Sequence, residues 1–422
     1  MNTQEIIITW ATPVFFALIA LELLVAKLRG RVVYHSSDAI NSLGLGVISQ
    51  IAAVFSKLLT LGIYAWCVQH FAVFALPANS IWVWISALLL YDFCYYWLHR
   101  CGHEVNILWA AHVVHHQSED YNLSTALRQT GSGVLLGWLF YLPMAVIGYP
   151  LEVFVVVALI DLLYQFWVHT ELVGRLGWFD RVFCSPSNHR AHHAVNDRYL
   201  DRNYGGILII WDRLFGSFVE EDDTDPPIYG TRSPLRSWNP LWANAEVYWA
   251  TLKDAWHARR WRDKLLIWLK PPGWRPADVA ERFPKPAFDI QRERYAPQLS
   301  RGLVIYSLVQ FALLLGMGVQ FLDLAKHLPA LSLIGYAIFL LLSLYALGAL
   351  TEGHRGGVGL ELARLLATAA IPLFTGGWFG VAHLDMRIVG ALVAIPVLSA
   401  LVLGWLSLGT HGQAGSGKTI PG

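Results

Sequence analysis

The chain has 422 residues, 55% of them hydrophobic and 14% charged, with a mean hydropathy of +0.44. So apolar a chain is excluded as a large soluble protein and reads as a multi-pass membrane protein. A net charge of +1 argues against a nucleic-acid partner, and four cysteines without a CxxC pair (Cys67, Cys94, Cys101, Cys184) argue against a disulfide framework or a thiolate zinc site.

Apolar runs of spanning length, judged by the ~20 residues a helix needs to cross a bilayer, fall at 7–26, 41–68, 81–98, 133–149, 151–168, 302–322, 331–350, 362–382 and 388–408. The N-terminus lacks the basic start of a secretory signal, and Lys27, Arg29 and Arg31 follow the first apolar run. That run is expected to remain as an anchor. The runs 133–149 and 151–168, hinged at Pro150, suit a hairpin that only partly crosses. Of the 31 Lys and Arg residues, 20 lie between 170 and 301, which places this connection in the cytosol and the N-terminus outside. Within it, Trp242, Trp249 and Trp256 recur every seven residues beside Arg259, Arg260, Arg262 and Lys264. Helices lying in the headgroup layer fit this pattern, and so does packing on the protein's own cytosolic surface.

These observations predict an all-α fold: a multi-pass membrane helical bundle with a cytosolic helical cap that carries the histidines. The expected parts are N-terminal spans over 1–80, a histidine-box core over 81–220, an interfacial region over 221–300, C-terminal spans over 301–410 and a tail over 411–422. The tail contains "GQAGSGKT", which matches the P-loop pattern. It lacks the preceding strand and following helix that a working phosphate loop needs, so it reads as tail alone.

Nine of the 16 histidines lie between 99 and 193. "HRCGHE" supplies His99 and His103, "HVVHH" supplies His112, His115 and His116, and "HRAHH" supplies His189, His192 and His193. Residues three and four apart share a helix face, so each box presents its imidazoles as one cluster if helical. His169 stands alone at the end of the 151–168 run. Imidazole suits zinc, copper, iron and nickel. This many candidate ligands exceeds the four of a structural zinc site and suits two metals. The Glu-x-x-His pattern of soluble di-iron bundles is not seen. Box one follows an apolar run directly, which puts the centre at the cytosolic membrane face, within reach of a lipid chain. Asp92 lies two helical turns before His99, and Asp161 precedes His169 by eight residues. With Asn188 they are candidate partners for the ring N–H groups of the ligands, the alternative for the two aspartates being helix–helix hydrogen bonds.

The three boxes resemble those of the fatty acid hydroxylase/sterol desaturase superfamily of membrane non-haem di-iron oxygenases. Within it, "YYWLHRCGHEVNILWAAHVVHHQSEDYNLSTALRQ", "LLYQFWVHTELVGRLGW", "SPSNHRAHHAVNDRYLDRNYGGILIIWDRLFGSF" and the extra C-terminal spans are similar to the alkylglycerol monooxygenases, which cleave ether lipids. The resemblance covers residues 1–300 well; beyond 300 it is mainly a pattern of spans. It implies two iron ions held by the eight box histidines and His169, and it makes Glu104 a candidate functional carboxylate beside them. It also implies O₂ as oxidant, a membrane lipid as substrate, and a tetrahydropterin or other external reductant, for which no separate motif is present. The alternatives are hydroxylation or desaturation of an acyl chain, aminolipid or sterol by the same chemistry, and a metal transporter using the same histidines.

Overall fold

A computed structural model describes residues 3–414, so most of the P-loop-like stretch at 412–419 lies outside the described residues. The fold is helical, and the sole strand pairing among the described residues is a two-residue hairpin, Gly377–Trp378 against Val381–Ala382. Among the described residues, six helical segments are long and apolar enough to cross a membrane: Ser36–Ser56, Ile81–Glu104, Arg301–Leu324, Ala330–Thr351, Gly356–Thr375 and Met386–Leu408. The chain is a multi-pass membrane protein.

Three of the expected runs depart from a full, in-place span. Residues 133–149 form the 3₁₀ turns Gly133–Leu135 and Gly137–Tyr141 and the short helix Leu142–Ile147. Pro143 is tolerated in that helix only because it sits in the first turn. Gly148 ends it in the left-handed region at φ 109°, where a Cβ would stand 1.9 Å from the Phe74 carbonyl oxygen. This close approach lets Val73 and Phe74 donate to the Val146 and Ile147 carbonyls. The Leu151–Trp167 helix has 17 residues, about 26 Å at 1.5 Å per residue, short of a ~30 Å hydrocarbon core. The run 362–382 is displaced. Its helix is Arg355–Thr375, because Gly376 at φ 65° stops it and the chain turns into the hairpin.

The chain divides into two compact units. One comprises residues up to Leu235 together with Asn244–Arg294; the other comprises Arg236–Ala243 and Tyr295 onward. In the first, the helices Ser36–Phe71, Ile81–Glu104 and Leu151–Trp167 and the broken 133–147 segment pack around Tyr64, Ala87, Tyr91, Met144 and Val153. Tyr91 stacks on Tyr141, and Tyr64 on Phe154. In the second, the helices Arg301–Leu324, Ala330–Thr351, Arg355–Thr375 and Met386–Ala414 enclose a buried ion pair, Arg364 to Glu361 at 2.6 Å. The pair is joined by the Tyr306 hydroxyl donating to Glu361 at 2.9 Å and by Arg364 donating to the Gln310 side chain at 2.6 Å.

Candidate metal centre

Four short pieces of chain bring the nine histidines together. The Ile81–Glu104 helix runs past its apolar part, so His99 and His103 occupy its last two turns. Val105 is extended (φ −122°, ψ 116°), which breaks the helix and starts Asn106–His116 in a new direction. Pro186–His193 begins with Pro at its first position and a Ser185 cap that accepts from the Asn188 N–H. His169 follows the Leu151–Trp167 helix.

The imidazoles form two groups. His99, His103, His112, His116 and His192 make one; His115, His169, His189 and His193 make the other. In each group one ring nitrogen per residue lies within 4.8 Å of all the others. The groups abut, with the His116 and His193 rings stacked at 4.2 Å between centroids and His189 and His192 at 5.0 Å. The first box stays together in one group, whereas the second and third each divide between the two, and helix geometry gives the reason. At ~100° per residue, positions i and i+4 differ by ~40°, whereas i+3 turns ~60° the other way. His112 and His116 thus stay together while His115 is sent to the other group. In the third box His189 and His193 stay together and His192 crosses over.

Hydrogen bonding fixes the rings. The Nδ1–H groups of His99, His115, His169 and His192 donate to the carbonyls of Tyr204, Arg128, Gln165 and Arg202 at 2.8–2.9 Å. Each of these neutral rings then carries only a lone pair on Nε2. Burial, assisted by neighbouring imidazoles, holds His112, His116, His169, His189, His192 and His193 well below the usual 6.5. Burial likewise brings His115 down to about 4. The Nε2 atoms of His115 and His169 nevertheless face each other at 3.1 Å, lone pair against lone pair. No hydrogen bond reconciles that contact, but a cation does. Nitrogens at the ~2.0–2.1 Å known for zinc–imidazole bonds stand about 2.8–3.4 Å apart around one ion. The pairs His99–His112, His112–His116 and His169–His189 repeat the 3.1 Å separation. The Nε2 atoms of His103, His192 and His193 are buried with no partner at all. A buried group left unpaired costs ~1–3 kcal/mol, so several in one place mark the seat of a ligand. The all-imidazole donor set fits transition-metal ions.

The other expected residues lie around this core without touching it. Asp92 is buried and accepts from the Ile207 and Leu208 N–H groups and the Trp211 indole at 2.7–3.1 Å, holding the loop that leads from Tyr204. Asp161 accepts from the Gln165 side chain at 2.5 Å, one helical turn before the carbonyl that orients His169. Asn188 donates to the Asp180 and Phe183 carbonyls, and its own carbonyl accepts from Asn203. Gly206 sits where a Cβ would come within 3.0 Å of Tyr95, Asp161 and Asp92. Four ring N–H groups, those of His99, His115, His169 and His192, thus go to backbone carbonyls, while His103 Nδ1 faces the Asp201 carboxylate at 3.4 Å; Asp92, Asp161 and Asn188 shape the segments that carry or flank the rings. Glu104 belongs to neither group; its carboxylate pairs with Arg100 at 3.0 Å.

Several supports escaped the sequence reading. Arg128 is 1% exposed. Its guanidinium binds the Val114 carbonyl and the Asn41, Ser42 and Gln117 side chains, while its own carbonyl orients His115. The signal was available, since Arg100 and Arg128 are the only Lys or Arg between Lys57 and Arg175. Glu22, buried in the Thr3–Leu28 helix, accepts from Tyr34, the Leu123 N–H and Thr170, tying the first helix to both sides of the centre. Arg190, inside the third box, forms a two-point pair with Glu221 at 2.7 and 2.8 Å and donates to the Thr170 and Val173 carbonyls.

Comparison with known proteins agrees with this geometry. The family described as Fatty acid hydroxylase matches residues 84–217, the segment that carries all nine histidines. Alkylglycerol monooxygenase of Homo sapiens is 37% identical over 361 residues, covering 84% of this chain and 80% of that one. The Danio rerio protein of the same name is 38% identical over 84% and 79%. Ornithine lipid hydroxylase OlsE of Rhizobium tropici is 30% identical over 32% of this chain and 41% of its own length. No solved structure matches significantly. With the relatives matched over most of their length and the histidine segment matched by the wider family, the chain belongs to the alkylglycerol monooxygenase family within the fatty acid hydroxylase superfamily.

Proposed function

We propose that the nine histidines hold two iron ions and that the chain is an O₂-dependent monooxygenase acting on a membrane lipid, with ether lipids of the alkylglycerol type as substrate. The observation that carries the metal is the lone-pair contact between His115 and His169. The substrate class is supported by the relatives that are alkylglycerol monooxygenases. Iron, when bound, supplies the redox chemistry with O₂ that oxidises a C–H bond. The chain's residues do the rest. The carbonyls of Tyr204, Arg128, Gln165 and Arg202 aim four rings by holding their Nδ1 protons. Burial keeps three of these rings, His115, His169 and His192, neutral. His99 and His103 end a membrane-spanning helix, so the centre sits where a lipid chain is at hand.

The overall balance is one C–H bond, one O₂, two electrons and two protons giving one alcohol and one water. On the carbon beside an ether oxygen the alcohol is a hemiacetal, which collapses to a fatty aldehyde and a glycerol. The electrons come from an external donor of the tetrahydropterin class. The surplus of Lys and Arg between 170 and 301 supports a cytosolic site. Glu104, beside His103 in sequence and held by Arg100, is the carboxylate we assign to the rim of the centre.

The test is metal analysis of the purified protein together with mass spectrometry of products from alkylglycerols, acyl lipids and sterols. Iron and a fatty aldehyde are expected. Iron-loaded protein that consumes no O₂ with any of these lipids, reductant present, overturns the reading. The Rhizobium relative favours a second reading, hydroxylation of an aminolipid. It would appear as a hydroxylated lipid without aldehyde. A transport role needs ligands strung along a path, whereas these nitrogens gather in two compact groups.

A further inference from the structure

The Pro240–His257 and Trp261–Leu269 helices are amphipathic in the reverse sense. Their fully buried residues are mostly small or polar: Thr251 and Ala255 are buried, as is Ala258 in the turn between the helices, with Ile267 as the larger exception. Their outward residues are the large apolar ones. Trp249 is 50% exposed, Leu252 48%, Trp256 79%, Trp261 79%, Leu265 69% and Leu269 63%. The spacing makes two continuous stripes, i, i+3, i+7 on the first helix and i, i+4, i+8 on the second. Water is a poor medium for such a surface, since contiguous exposed apolar patches mark contact sites. Charge says what the contact is. Arg259, Arg260 and Arg262 are exposed beside the stripes and none forms an ion pair among the described residues. The nearby acids Asp254 and Asp278 are taken by Arg275 and Arg282. Lys264 folds back, donating to the Ala255 and Trp256 carbonyls with its ammonium 5.6 Å from the Trp261 ring. Tryptophan and leucine at one level with unpaired arginines is the chemistry of the bilayer interface.

We propose that this face lies in the headgroup layer, takes anionic lipid, and sets the depth of the histidine-bearing helix. The link to the centre is Asn106, the first residue of Asn106–His116. Its side chain donates to the Thr251 hydroxyl and the Ile267 carbonyl at 3.0 and 2.9 Å, and its backbone N–H donates to the Lys270 carbonyl at 3.0 Å. One residue therefore binds both surface helices to the segment carrying His112, His115 and His116. The inference rests on the family's membrane setting and is independent of iron and of the substrate.

The full chain, carrying the photo-cross-linker p-benzoylphenylalanine in place of Trp256, is placed in nanodiscs of mixed phosphatidylcholine and phosphatidylglycerol and irradiated. The same replacement of Leu89, exposed on the Ile81–Glu104 helix, reports ordinary acyl contact. Lipid adducts are expected at position 256, with phosphatidylglycerol enriched about fivefold over its bulk share, the ratio that ~1 kcal/mol, the pull of a single arginine on the captured lipid, corresponds to. The combined Arg259→Gln, Arg260→Gln and Arg262→Gln variant returns the adducts to the bulk ratio and keeps its metal. Adducts to protein, whether a second copy or another partner, overturn the proposal. So does the absence of adducts at 256 while Leu89 gives them, and so does enrichment that survives the arginine changes.

Discussion

The two units of the molecule both bury polar groups, and they treat them differently. In the C-terminal unit the charged groups inside the bundle answer one another: Arg364 meets Glu361, Tyr306 completes Glu361, and Gln310 links Arg364 to Ser399. In the first unit the buried imidazoles leave Nε2 atoms unanswered or aimed at one another. A polar network that closes on itself holds helices in register. One that stays open toward a common point is built for something not made of protein. The contrast assigns architecture to one unit and chemistry to the other, and it can be broken by mutation.

The largest expected effect is at the open network. His115→Ala and His169→Ala each remove a proposed ligand of the same group. If the proposed two-iron centre holds, activity falls more than about 1,000-fold in each, because an incomplete redox centre does no chemistry, and bound metal drops from about two ions per chain toward one. Metal analysis beside lipid turnover checks both. Retention of full metal by either variant would remove that residue from the ligand set. The closed network gives the next largest effect, of another kind. Glu361→Gln leaves the Arg364 cation without a counter-charge and destabilises the protein by ~3–5 kcal/mol, whereas Glu361→Met with Arg364→Met recovers most of the loss. Unfolding in detergent reads the stability, and turnover per folded molecule stays at the wild-type level. A turnover defect in the double variant would make this pair part of the chemistry and break the comparison.

Arg128→Met tests the layer between these extremes. The substitution keeps the volume and the backbone carbonyl that accepts from His115, and removes the guanidinium that fixes it. Metal affinity falls ~10–100-fold, the usual consequence of losing a ligand's orienting partner. Competition with a chelator measures it, and an unchanged affinity would mean that the carbonyl holds its place unaided.

Much of this division was legible in the residues. Period and run length disclosed the spans, because lipid demands long unbroken apolar helices. The i, i+3, i+4 spacing marked the histidines that the fold gathers. What stayed hidden depends on the third dimension. The second and third boxes divide because i+3 turns away from i and i+4, but that the odd ring of each joins the pair of the other depends on how the two short helices pack, and spacing along one helix does not encode that. Asp92 and Asp161 looked like partners of His99 and His169, yet the ring N–H groups found backbone carbonyls, which have no signature in a sequence. The run 133–149 read as a span from composition, while Gly131, Gly133 and Gly137 interrupt its start and Gly148 its end.

The smallest effect sharpens where chemistry ends and architecture begins within the first unit. Asn106→Ala removes two side-chain hydrogen bonds while the backbone bond to Lys270 remains. The Thr251 hydroxyl oxygen and the Ile267 carbonyl both lose this donor in a buried place, so the cost is ~1–2 kcal/mol. Asn106→Asp costs more, because a carboxylate there sets an acceptor against an acceptor and brings a buried charge. Neither change touches a ring nitrogen or a carbonyl that orients one. Metal affinity in Asn106→Ala therefore shifts far less than in Arg128→Met, while amide hydrogen exchange rises across 244–270. If metal affinity instead falls as far as it does in Arg128→Met, the surface helices are holding the ligand geometry directly, and the border between support and site moves outward to include them.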